Sequence, residues 1–119
     1  MMHVVAEAGT LDLTVLTTGH SAVVRMVGHL DAATSRLLQA VLDPLLHRTR
    51  RPAVDRLVLD CAGVRFADAS GLSPVLHARA VLGRRGGVVE LRRLPPTVRQ
   101  VIDVLGLTEH LDGDRARPA

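Results

Sequence analysis

The run Leu57-Val58-Leu59 does most to limit what this chain can fold into. It is a short, continuous apolar stretch between charged residues, the pattern of a central strand covered on both faces. Cys61, Ala62, Gly63, Val64, Arg65 and Phe66 then lead into the turn Asp68-Ala69-Ser70-Gly71, after which Leu72, Val75, Leu76, Ala80 and Val81 recur in a helical pattern. Pro74 limits where that helix begins. A proline has no N–H to give, so it fits best in the first turn, and the helix is expected to start between residues 70 and 72.

The remaining segments arrange themselves around this unit. Leu11, Leu13 and Val15 alternate with Asp12 and Thr14, a half-buried strand; Thr18-Gly19-His20 is a turn, and residues 21–27 form a valine-rich second strand, giving a hairpin. Asp31 is read as the N-cap of a helix that carries Leu37, Leu38, Val41, Leu42, Leu45 and Leu46 on one face. Pro44 lies inside that run, so either the helix kinks there or a new turn begins at Asp43. Residues 48–52 form a basic loop. Gly83, Gly86 and Gly87 close the helix after Pro74, and residues 88–91 form a fourth strand. Pro95 and Pro96 open a last helix with Val98, Val101, Ile102 and Leu105 on its buried face and Gly106 at its C′ position. The order β-β-α-β-α-β-α predicts an α/β fold, a single domain with a small mixed sheet of four or five strands flanked by helices. Its core is expected over residues 11–111, with 112–119 a flexible, charged tail.

Composition excludes several functions. With 119 residues and 47% hydrophobic content, the chain builds a core without disulfides or metal, and Phe66 is its single aromatic residue, so that core is aliphatic. One cysteine, Cys61, permits no internal disulfide and suits a reducing compartment. With no signal-peptide pattern and no apolar run of membrane-spanning length, a cytoplasmic protein without membrane contact is expected. All 15 basic residues are arginine, which lifts the pI to 10.9 while the net charge is only +3. The arginines are spread among 12 acids, and there is no aromatic platform for bases, so direct nucleic-acid binding is not expected.

The turn from Phe66 to Leu72, centred on residues 68–71, is the leading site candidate. It lies beyond the carboxyl end of an apolar strand, where α/β sheets engage ligands and partners, and at a helix N-terminus, whose free N–H groups and dipole favour anions. Plain helix capping would account for Asp68 and Ser70 equally well. A hydrolase is not supported: Ser70 and His77 are two helical turns apart and no G-x-S-x-G elbow exists. His3, His20, His29, His47, His77 and His110 are scattered singly, so no metal is expected. Gly83-Arg84-Arg85-Gly86-Gly87 matches neither the P-loop nor the dinucleotide fingerprint, so no cofactor is expected. Nothing here supplies an enzyme.

Taken together, three segments resemble the STAS domain, and among STAS domains the anti-sigma factor antagonists. They are Gly28-His29-Leu30-Asp31-Ala32-Ala33-Thr34; the strand and loop running from Leu57 through Asp68-Ala69-Ser70-Gly71-Leu72; and Gly86-Gly87 followed by a strand and helix ending in Gly106-Leu107-Thr108-Glu109-His110-Leu111. The resemblance implies partner binding through Asp31, Asp68, Ala69, Ser70, Gly71 and Leu72. The implied partner is an anti-sigma factor of the serine-kinase type, whose capture frees a sigma factor for transcription. It also implies a phosphorylation switch at the residue after the loop aspartate, but that position holds Ala69, which has no hydroxyl. Ser70 is the remaining candidate acceptor, and a phosphate there would add about −2 charge beside Asp68. The alternative is a STAS subunit of a lipid ABC-type transport complex or of a stress-signalling complex. A monomer or weak dimer is expected.

Overall fold

A strand with no alternating pattern to announce it, β1 (Met2–Glu7), precedes the expected hairpin and pairs antiparallel with β2 (Leu11–Thr18). The computed structural model describes residues 2–7, 10–47 and 53–114, with side chains from residue 10 onward, so the basic loop at 48–52 lies outside the described residues. β2 turns into β3 (Ser21–Leu30) through Gly19 and His20, with Gly19 at φ +60 in the first loop position, where type II′ hairpin turns need glycine. From β3 the chain crosses by helix α1 (Ser35–Leu46) to the parallel strand β4 (Arg56–Ala67), and by α2 (Ala69–Gly83) to the parallel strand β5 (Val88–Arg92). Helices α3 (Pro96–Val104) and α4 (Thr108–Leu111) follow. The sheet has five strands in chain order, so it is mixed, as expected.

Chain order fixes where the helices go. Consecutive parallel strands joined by right-handed crossovers advance in one direction, which puts α1 and α2 on the same face. Leu13 and Val15, Ala22, Val24 and Met26, Leu57, Leu59 and Cys61, and Val89 and Leu91 all point to that face and are buried. They meet Leu38, Leu42 and Leu45 of α1, Leu72, Val75 and Leu82 of α2, and Val98 and Ile102 of α3. Two register shifts between β3 and β4 keep Val64 and Ala67 pointing into this core. The opposite face carries Leu16, Val23, Arg25, Val58 and Asp60, and among the described residues no helix covers it. The expectation that β4 is covered on both faces is therefore corrected. Val58 is only half-buried, and the molecule measures 39 × 35 × 20 Å.

Helix boundaries depart from expectation in instructive ways. Asp31 is not the N-cap of α1: that helix begins four residues later, because Asp31 and Thr34 close a turn of their own. Pro44 neither starts a new turn nor ends the helix, which runs through it to Leu46. α2 begins at Ala69, one residue before the predicted range, so Pro74 falls in the second turn, not the first. Ala80 of α2 and Leu105 beyond α3 lie on exposed faces and not in the core. α3 ends as expected on Gly106 at φ +73, where Leu107 N–H donates to Ile102 C=O and Gly106 N–H to Asp103 C=O.

The last described residues are not a frayed tail. Asp112 bridges to Leu91, is 1% exposed and pairs with Arg99. Gly113 N–H donates to Leu91 C=O at 2.8 Å. The N–H groups of Leu94 and Arg93 donate to the Asp114 carboxylate, each at 2.9 Å, and hold its pKa below the ordinary value. The rest of the expected tail, residues 115–119, lies outside the described residues.

Candidate functional site

Because β3 and β4 are parallel neighbours, their carboxyl ends emerge side by side, with His29 opposite Phe66 and Leu30 opposite Ala67. This brings together two turns separated by more than thirty residues in the chain. In the first, Thr34 N–H donates to Asp31 Oδ1 at 3.1 Å, and Asp31 N–H donates to Thr34 Oγ1 at 3.1 Å. The Thr34 hydroxyl also donates to His29 C=O at 2.8 Å, so this buried threonine welds the turn to the strand before it. In the second turn, the Asp68 carboxylate accepts from Gly71 N–H at 2.9 Å, capping α2. Asp68 N–H donates to Leu30 C=O at 3.0 Å, tying the second turn to the end of β3.

Gly71 makes this juxtaposition possible. A Cβ on it would overlap the carbonyl group of Leu30 and the backbone nitrogen of Asp31, so the α2 N-terminus rests directly on the first turn. Asp31 and Asp68 are left half-buried, and Ala69 and Ser70 are exposed at the tip. Leu72, expected among the contacting residues, is 1% exposed and Gly71 is buried. Both build the turn from beneath and neither presents surface to a partner. Phe66, at the head of the candidate turn, is 46% exposed, and His29, which was not expected at the site, sits beside it; the two rings meet edge to face with centroids 6.0 Å apart.

The arrangement is a surface, not a pocket. A cleft of about 640 Å³ lies elsewhere, between the C-terminal half of α2, β5 and α4. Small-molecule sites are concave and largely apolar, whereas an exposed tip flanked by two carboxylates suits contact with another protein. His77 is exposed on α2, and neither it nor Ser70 is engaged in an acid–base pair with the other. Cys61 is buried in the core, where burial pushes its thiol up to about 12, so it has no reactive thiolate.

The family model described as "Mlab, STAS domain" matches residues 13–112. The chain belongs to the STAS domain family, a fold and class consistent with the layered sheet and paired turns. Its similarity points to one branch of that family. An anti-sigma F factor antagonist from Paenibacillus polymyxa is 28% identical over 85 residues, 71% of this chain and 70% of that protein. The anti-sigma factor antagonist SpoIIAA in its unphosphorylated form superposes with a TM-score of 0.73 at 25% identity, over 83% of this chain and 84% of that one. An anti-sigma factor antagonist from Mycobacterium paratuberculosis gives 0.71 over 89% and 86%, and at 22% identity speaks for the fold alone.

Proposed function

We propose that this protein is an anti-sigma factor antagonist that binds an anti-sigma factor of the serine-kinase type and thereby frees a sigma factor. The observation that carries the reading is the tip formed by Ala69 and Ser70, exposed between Asp31 and Asp68 at the N-terminus of α2. The contact surface comprises Asp31, Asp68, Ala69 and Ser70, extended by Phe66 and His29. With alanine at position 69, where SpoIIAA-like proteins would offer a hydroxyl, the antagonist is constitutively unphosphorylated unless Ser70 serves instead. A phosphate on Ser70 would place about −2 charge beside the Asp68 carboxylate, and that repulsion would weaken docking on any surface complementary to the unmodified turn.

The test is binding of the purified protein to serine-kinase-type anti-sigma factors from the same genome, by calorimetry, with the wild type and three variants. Ser70→Glu and Asp68→Arg should each weaken binding at least about tenfold, or roughly 1.4 kcal/mol, while circular dichroism shows the fold intact. Ala69→Ser should acquire phosphate in the presence of the kinase and ATP, detected by mass spectrometry, whereas the wild type stays unmodified. Stoichiometric phosphate on Ser70 of the wild type would replace the constitutive version with a switched one. Binding indifferent to both Ser70→Glu and Asp68→Arg would remove the turn from the interface.

A further inference from the structure

The uncovered face of the sheet is organised. Leu16, Val23 and Val58 stand in register across β2, β3 and β4 on that face, and Leu16 and Val23 are 39% and 37% exposed. Neighbouring strands lie about 4.8 Å apart, so the three side chains make a continuous apolar bar roughly 10 Å long. Single exposed aliphatic residues need no explanation, but a contiguous row does. Arg25 and Arg56, one strand step to either side of the bar, flank it. Their side chains are 66% and 47% exposed, and they touch Asp60 and Glu90 only at 3.9 and 3.8 Å. The closer partners of those two acids are Arg93 and Arg92. Around the bar, four arginines thus surround two carboxylates, a local excess of two positive charges, while Asp12 and Arg65 lie together farther along the same face. Parallel strands are nearly always covered on both faces, yet among the described residues helices cover β3, β4 and β5 on one.

We infer that this face docks an acidic amphipathic helix of a partner protein, with the helix's apolar stripe on Leu16, Val23 and Val58 and its flanking carboxylates on Arg25 and Arg56. Charge complementarity selects the occupant. A second copy of this chain would bring arginine against arginine. The two longer segments outside the described residues are also basic, with Arg48, Arg50 and Arg51 in one and Arg115 and Arg117 in the other. The bar lies near the amino-terminal end of β4, whereas the tip formed by Ala69 and Ser70 lies beyond its carboxyl end, where His29 and Phe66 share the same sheet face.

The test uses the full chain and a synthetic amphipathic peptide of about four helical turns, with leucines on one face flanked by glutamates, and a control peptide with lysines in place of the glutamates. Amide shifts in a ¹⁵N spectrum should map to β2, β3 and β4, and the glutamate peptide should bind at least about tenfold tighter than the lysine one. An Arg25→Glu/Arg56→Glu variant should lose that preference. Val23→Asp, an exposed position that leaves the core untouched, should weaken binding independently, and Ser70→Glu should leave it unchanged. Equal binding of the two peptides, or shifts confined to other faces, overturns the proposal. So do an Arg25→Glu/Arg56→Glu variant that binds like the wild type, binding to phosphatidylglycerol vesicles with none to the peptide, and self-association through this face in sedimentation. Loss of anti-sigma factor binding in Ser70→Glu with peptide binding retained would show the two surfaces to be separate.

Discussion

At the scale of single residues, the chain concentrates its constraints at the meeting of two strand ends. Gly71 has no room for a side chain, because the backbone of Leu30 and Asp31 occupies the space a Cβ would need. Gly71→Ala must therefore push α2 off the first turn. Overpacking of this kind commonly costs 1–3 kcal/mol, and with rigid backbone as the obstacle we expect more than about 2 kcal/mol here. Urea unfolding followed by circular dichroism measures it, and a loss below half a kcal/mol, roughly the noise of a surface change, would contradict the close approach. Asp68 acts at the same place with a smaller effect, since its carboxylate satisfies one N–H of the α2 N-terminus. The asymmetry between the two residues is physical: a lost cap leaves an N–H that water can reach, whereas a steric overlap has to move the backbone.

At the scale of elements, the two helices containing internal prolines show tertiary packing overriding local preference. Pro44 in α1 removes a donor to the Ala40 carbonyl, and Pro74 in α2 removes one to the Ser70 carbonyl, yet both helices continue. Leu38, Leu42, Leu45 and Leu46 keep α1 in place by burial on the sheet. Pro44 itself is exposed, so replacing it exchanges only backbone terms. Alanine is about 3 kcal/mol better than proline inside a helix, less up to about 1 kcal/mol returned to the unfolded chain's flexibility. Pro44→Ala should stabilise the protein by roughly 2–3 kcal/mol on these terms, seen as a higher Tm by calorimetry. A fall in Tm would mean that the proline is fitted to a bend that the packing requires. Pro74 is buried, and its replacement would leave a cavity that offsets any such gain.

At the scale of the whole molecule, one carboxylate links three strands. Asp60 on β4 accepts hydrogen bonds from Arg93 beyond β5 and from Ala62 N–H, and lies 3.9 Å from Arg25 on β3. The hydrogen bonds from the Arg93 guanidinium, chiefly, hold its carboxyl below the ordinary value, against the opposing effect of burial. Since the folded-state pKa is the lower one, the stabilisation is fully present above the unfolded carboxyl's pKa, about 3.9, and is lost as pH falls through the folded value. Asp60→Asn should therefore reduce stability at neutral pH and flatten the decline below about pH 4, measured as urea midpoints between neutral and acid pH. An Asp60→Asn variant whose acid limb matched the wild type's would show that other carboxylates govern it. The same cluster screens the uncovered face, which is why an acid so near the sheet centre is tolerated.

Much of this protein was legible in its residues because the relevant signals are local. Alternation in residues 11–15, leucine spacing over 37–46 and the Gly106 stop each depend on near neighbours, and the mixed α/β sheet follows from their order. The 68–71 turn could be found as a site candidate for the same reason, from a strand, a cap and a helix in succession. What the sequence could not decide was anything set by strand pairing. Only the parallel register of β3 and β4 brings Asp31 beside Asp68 and sets His29 against Phe66. Likewise, Leu57-Val58-Leu59 reads as a doubly covered strand, yet consecutive strand order puts every crossover helix on one face and leaves Val58 among arginines. Local chemistry made the turn; the sheet decided what stands next to it and which side of the molecule stays open.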